Sequence, residues 1–172
     1  RNGAGKTVLS EMIAGIQKQD SGEIKINTKN GVWDVAILFQ NINLPSSFKL
    51  NEIIKFYSMQ YSDRITNKEI EELIDIFELK EFLKTPFKKL SGGTKQKVNL
   101  LTTLMKKSDI VILDEFVTGL DVISVEKILQ HLNTIRKERE LTYIIISHQP
   151  EELRRLTDKI FVLENKKISN EY

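Results

Sequence analysis

An α/β fold, with parallel strands joined by crossover helices and a helical lobe set among them, is what this sequence predicts. Three observations carry that expectation. Short segments rich in β-branched residues alternate along the chain with stretches of helical periodicity. Two of those segments, Ile110–Leu113 and Tyr143–Ile146, are almost wholly apolar without alternation, as strands covered on both faces are, so both are expected at the centre of the sheet. The interval from Asn41 to Lys89 shows amphipathic helical patterns and no convincing strand, which marks it as the lobe.

The expected strands are Glu23–Asn27, Val35–Phe39, Ile110–Leu113, Thr142–Ser147 and Lys159–Leu163, with Asn165-Lys166 as a turn into a short last strand. The expected helices run from Gly5 to Ile16, Leu50 to Met59, Lys68 to Phe77, Ser91 to Met105, Val122 to Lys137 and Pro150 to Leu156. Ser91 is a good N-cap and Pro150 suits a first helical turn. With the helix after Ser91 included, the helical subdomain covers about residues 41–108.

Bulk composition narrows the function. A chain of 172 residues, 40% hydrophobic and 29% charged, can bury a core as one domain. A net charge of +2 is too small for the positive field of a dedicated nucleic-acid binder, so no nucleic-acid partner is expected. The absence of cysteine excludes disulfides and thiolate zinc sites and suits a reducing compartment. No apolar run is long enough to cross a bilayer, so any work at a membrane needs another segment or subunit to do the crossing.

The chemistry sits in a few short motifs. Gly3-Ala4-Gly5-Lys6-Thr7 opens a helical pattern, and glycines there let successive N–H groups turn toward phosphates while the helix N-terminus adds partial positive charge. Lys6 would reach the β- and γ-phosphates and Thr7 would offer its hydroxyl to Mg²⁺. The full phosphate-loop pattern places its first glycine just before Arg1, so the chain is expected to begin partway through this loop and to lack the strand leading into it. Ile110–Leu113 runs directly into Asp114 and Glu115. At the C-terminal edge of a parallel sheet, the first acid can hold the metal's shell and the second can face an attacking water.

Leu90-Ser91-Gly92-Gly93 begins another helix and forms a second anion site, one more than a single nucleotide needs in one subunit. Alone, such a tetrapeptide is more often simply a capped helix. His148 follows an apolar strand, where an imidazole can reach a γ-phosphate, whereas His131, inside the helix after Asp121, has no such placement. Gln40 closes the strand Val35–Phe39, where an amide can touch metal and water.

Taken in this order, the motifs resemble the ATP-binding cassette domain of ABC transporters. Gly3–Thr7 looks like the Walker A loop, Gln40 like the Q-loop glutamine and Leu90–Gly93 like the signature motif. Ile110–Glu115 looks like Walker B with its catalytic glutamate, Thr118–Asp121 like the D-loop and Ser147-His148 like the switch histidine. The resemblance implies a P-loop NTPase core whose first strands lie outside this sequence, and ATP and Mg²⁺ as cofactors. It also implies a catalytic pair, Glu115 and His148, and a metal set of Thr7, Gln40 and Asp114. The nucleotide-contacting set it implies is Asn2, Gly3, Ala4, Gly5, Lys6, Thr7, Val8, Gln40, Ser91, Gly92, Gly93 and Asp121.

The partners it implies are a second ABC ATPase domain, docked head to tail, and a polytopic membrane subunit. These would place the chain in the cytoplasm, on the inner face of the cell membrane. The short Asn41–Lys89 interval, Leu44-Pro45-Ser46-Ser47 and the continuation Thr94-Lys95-Gln96-Lys97 look most like bacterial ABC-2 type exporters of drugs, antibiotics or peptides. Phe48, Ile53, Ile54, Phe56 and Tyr57 supply more apolar surface than a short solvated helix needs, so part is expected to stay exposed for a membrane-subunit helix.

Departures from the pattern are Thr94, where glutamine is common, and Phe116-Val117 after Walker B, where Pro-Thr is common. The adenine-stacking aromatic is expected ahead of the Walker A loop. A soluble ABC-type ATPase acting on the ribosome is the alternative, with a module that dimerises on ATP without hydrolysing it as a third reading. DNA-repair types carry a long coiled coil for which this interval has no heptads.

Overall fold

A strand exists only where a neighbour completes its hydrogen-bond ladder, and three of the predicted apolar segments find one another. The computed structural model describes residues 4–26, 34–39, 44–147, 154–164 and 166–171. Strand β1 (Val35–Leu38), β2 (Ile110–Asp114) and β3 (Thr142–Ile146) form a parallel sheet in that order. Ala36 lies opposite Val111, and Asp114 opposite Ile146. The remaining strands, β4 (Phe161–Glu164) and β5 (Lys167–Glu171), pair antiparallel as a separate hairpin.

The helices are α1 (Lys6–Ile13), α2 (Leu50–Gln60), α3 (Asn67–Ile76), α4 (Gly92–Met105) and α5 (Val122–Arg139), with 3-10 turns at Lys80–Phe82 and Phe87–Lys89. Leu100, Leu101, Met105, Ile112, Leu113, Ile128 and Leu129 are buried at the heart of the core. The same apolar cluster continues into the lobe through Leu50, Ile53, Ile70, Leu73, Phe77 and Phe87.

Several expectations are corrected. Glu23–Ile26 is irregular, not strand, because no described neighbour pairs with it; Asn27 lies outside the described residues. Of the two strands expected at the centre, only β2 is central among the described residues. β3 pairs with β2 alone, and its other side faces an apolar groove of about 790 Å³ bounded by α1 and the β4–β5 hairpin. Helix α1 stops at Ile13, short of Ile16, where Ala14 donates to the Ser10 carbonyl and Gly15 turns to φ 74°. β4 begins at Phe161, two residues after Lys159, and joins the hairpin, not the parallel sheet. The predicted helix start at Pro150 lies outside the described residues; 154–156 is helical.

Carboxylates clamp the lobe to the sheet. Thr66 caps α3 in a capping box, its N–H donating to Glu69 Oε2 at 2.9 Å while Glu69 N–H donates back to the Thr66 hydroxyl at 3.3 Å. The other oxygen of Glu69 receives Lys107 Nζ at 2.8 Å and Arg139 Nη2 at 3.2 Å, so one side chain ties α3 to the ends of α4 and α5. Asp34, just before β1, likewise takes Arg64 from the lobe at 2.5 Å and the Ser108 hydroxyl at 2.9 Å. Burial alone would raise the Glu69 carboxyl, but Lys107 and the Thr66 donors outweigh it and hold the group down at about 2, against an ordinary 4.5.

A folded-state value below the unfolded one stabilises the fold above about pH 4.5, and that contribution fades as pH falls toward 2. Glu69→Gln is therefore expected to be destabilised by roughly 1–2 kcal/mol at pH 7 in urea unfolding, the size of a lost cap and part-buried ion pair. The gap to the parent should narrow below about pH 4.5 and close only as pH reaches about 2. An equal midpoint for both proteins at pH 7 would show that the clamp contributes nothing.

Candidate functional site

The expected site residues fall into two clusters. In the first, Gly5 takes φ 95°, a left-handed conformation that suits glycine, and serves as N-cap of α1. Ala4 beside it is buried. Lys6 and Thr7 form the first turn of α1, which carries no acidic residue to compete for its N-terminal charge, and Val8 on the same turn is half exposed.

Asp114 ends β2 with its side chain buried, and Thr7 Oγ1 stands 3.5 Å from Asp114 Oδ2, although the two are far apart in sequence. Glu115 leaves the strand with φ 47°, and its N–H donates to the Ile146 carbonyl at 2.9 Å, extending the β2–β3 ladder by one bond. That backbone bond fixes where the Glu115 side chain emerges. A cavity of about 800 Å³ runs beside this cluster, lined by Thr7, Asp114, Phe39 and Asn99 among others. Asn2, Gly3, Gln40 and His148 lie outside the described residues.

The second cluster is built on α4. Ser91 is its N-cap, the hydroxyl accepting Thr94 N–H at 3.1 Å, as its sequence position predicts. The two hydroxyls of Ser91 and Thr94 also bond at 2.7 Å, so Thr94 holds the Ser91 side chain instead of standing idle where glutamine is common. Gly92 and Gly93 make the first turn, again without an acid. Asp121 caps α5, accepting the N–H of Ser124 at 2.9 Å and its hydroxyl at 2.6 Å, and these bonds pull its carboxyl below the ordinary range. Each oxygen of Asp121 thus accepts one bond from Ser124 of its own chain.

Contacts that sequence reasoning missed join α4 to the turn after β2. A Cβ on Gly93 would lie 2.6 Å from the Gly119 carbonyl oxygen, so only glycine fits that approach. The buried Gln96 donates from Nε2 to the Phe116 carbonyl at 3.1 Å. The only hint in the sequence was an amide one helical turn after Gly93. His131, given no role from sequence, has its ring Nε2 buried with no hydrogen-bond partner among the described residues.

A parallel sheet with a glycine-led helix start beside the acid that ends its central strand defines a nucleotide-binding α/β cassette. A family model described as ABC transporter matches residues 1–118. The chain belongs to the ABC transporter ATP-binding family. Among its relatives, the zinc import ATP-binding protein ZnuC of Rickettsia bellii (strain RML369-C) is 37% identical over 149 residues, covering 86% of this chain and 61% of that protein. An uncharacterized ABC transporter ATP-binding protein, YcbN of Bacillus subtilis (strain 168), is 30% identical over 183 residues, covering 99% of this chain and 57% of that protein. The chain thus spans about three fifths of the length of these relatives. In fold it matches an ATP-binding cassette solved as a dimer in a post-hydrolysis state with ADP and Pi, with a TM-score of 0.85 at 22% identity, covering 100% of this chain and 82% of that one.

Proposed function

We propose that this chain binds Mg-ATP at Gly3–Thr7 and hydrolyses it, with the Ser91–Gly93 loop of a second copy closing over the nucleotide, to power transport through a membrane subunit. The observation that carries the reading is the approach of the Thr7 hydroxyl to the Asp114 carboxylate at the mouth of the phosphate loop. Both are hard oxygen donors, and one carboxylate with one hydroxyl suits Mg²⁺, which keeps waters and takes its other ligands from phosphate. Among the described residues no group of three or more His, Cys, Asp or Glu is placed to hold an ion.

Thr7 and Asp114, with Gln40, would hold Mg²⁺, which when bound neutralises charge on the phosphates. Lys6 and the N–H groups of the loop bind the β- and γ-phosphates. Glu115 accepts a proton from the water that attacks the γ-phosphorus, and His148 donates a hydrogen bond to that phosphate. The apolar groove beside β3 has Leu9, Ile13, Leu163 and Ile168 among its walls.

Two observations bear on the membrane side. No helix among the described residues is long and apolar enough to cross a bilayer. Ile53 and Ile54 of the expected docking surface go into the core, but Phe48, Phe56 and Met59 stay 47%, 61% and 69% exposed. We read this apolar ridge of α2 and the turn before it as the seat for a membrane-subunit helix, a reading that supports a position at the inner face of the membrane. The short lobe supports export, as in ABC-2 systems; the name of the Rickettsia relative supports import as a second reading. ATP-driven uptake into inside-out vesicles, set against efflux from them, separates the two.

Glu115→Gln in the intact protein is expected to bind ATP yet hydrolyse it at least about 100-fold more slowly, the effect of losing a positioned base, and to accumulate as an ATP-bound dimer. Near-normal phosphate release by that variant would remove Glu115 from the mechanism. Cysteines placed at Phe56 and Met59 are expected to cross-link to the membrane subunit in the assembled transporter. Cross-links confined to other faces of the chain would reject the ridge as the seat.

A further inference from the structure

A buried carboxamide in the first turns of a helix needs a reason, because burying an amide costs free energy unless its hydrogen bonds are made. Gln96 is such a group. It lies on α4 one turn beyond Gly93, its side chain inside the protein, and its Nε2 donates to the Phe116 carbonyl. Gly93, on the same face, rests directly against the carbonyl of Gly119. Both contacts land on one short turn, from Glu115 to Asp121, which is itself braced. Thr118 N–H donates to the Glu115 carbonyl at 3.1 Å, Leu120 N–H to the Val117 carbonyl at 3.1 Å, and Asp121 caps α5. A further face of α4 is tied as well: Lys97 Nζ reaches Glu78 at 3.3 Å, and the same carboxylate pairs with Lys127 of α5. Desolvation opposes these pairs only weakly beside the two lysine bonds, which lead in holding the Glu78 carboxyl below its ordinary range.

We propose that Gln96 is a positioning residue that holds the Ser91–Gly93 loop at a fixed offset from the Glu115 turn, so that the two halves of different nucleotide sites on one chain move as a single body. This rests on the function proposed above, in which Glu115 faces the nucleotide held by its own chain and Ser91–Gly93 faces the one held by the partner copy. The bond to Phe116 supplies direction, and the Gly93–Gly119 approach supplies the close fit that leaves the loop no room to tilt. Without the amide, α4 keeps its apolar packing through Val98, Leu100 and Leu101, so the helix stays folded while its N-terminal turn loses its anchor.

The test is Gln96→Met, which keeps length and volume and removes the donor, measured in the intact protein beside Tyr143→Phe. Tyr143 donates its hydroxyl to the Leu132 carbonyl at 3.2 Å, so its loss removes the same kind of bond away from the turn. ATP affinity of the separated subunit should be unchanged in both. Gln96→Met should lower kcat about 10-fold or more, the effect of a displaced group, and weaken ATP-driven dimerisation to a similar degree in the Glu115→Gln background, while Tyr143→Phe alters neither. Glu78→Gln, at the surface and safe for folding, should shift dimerisation the same way by a smaller factor, about 3-fold, with the difference fading at high salt. If Gln96→Met and Glu78→Gln dimerise and turn over like Tyr143→Phe, the positioning role is overturned while the function beneath it stands. If Glu115→Gln alone fails to dimerise on ATP, that function falls and the positioning role with it.

Discussion

Everything at the site depends on the register of one strand. β2 lies between β1 and β3 with Ile112 opposite both Ile37 and Ile144, and the parallel ladder carries Asp114 to the C-terminal edge with no freedom to slide. A shift by one residue would turn Asp114 to the other face and bring Leu113 to the edge. Because β2 is buried along almost its whole length, such a slip would also exchange Val111 and Leu113 with Ile112 between its two covered faces and undo the packing on both, so packing holds the register.

The acidic turn and the helical lobe are held by different physics. Around Asp114 and Glu115 the constraint is backbone hydrogen bonding, which carries the ladder one residue past the strand to Ile146. In the lobe, carboxylates with paired cations do that work: Asp34 with Arg64 and Lys106, Glu69 with Lys107 and Arg139, Glu78 with Lys97 and Lys127. Such pairs add little individually at a surface, but each of these joins elements distant in sequence, and together they orient the lobe on the sheet.

Local signals account for what could be read from the sequence. Ser91, Thr66 and Asp121 act through residues three positions away, so their caps and the helices they start are legible from spacing. The apolar run Ile110–Leu113 announces a covered strand, and the acids after it follow from their place at its end. Glu23–Ile26 has the same β-branched character but is not a strand, since pairing is decided by a distant partner. Tyr143–Ile146 reads as central because of its apolarity; among the described residues it pairs with β2 alone, and its other side lines the groove by the hairpin. Gln96 was invisible as a functional residue, since its partner is a backbone carbonyl whose position only the fold defines.

The claim on which the rest hangs is that Thr7 and Asp114 together form the metal side of a nucleotide site. Calorimetric titration of ATP into the intact protein with and without Mg²⁺, repeated with Asp114→Asn, tests it most directly. Mg²⁺ should tighten ATP binding in the parent protein, and Asp114→Asn should lose most of that gain, about 10-fold or more, as for a removed group that contacts a bound cation. The same Mg²⁺ dependence in both proteins would contradict the assignment.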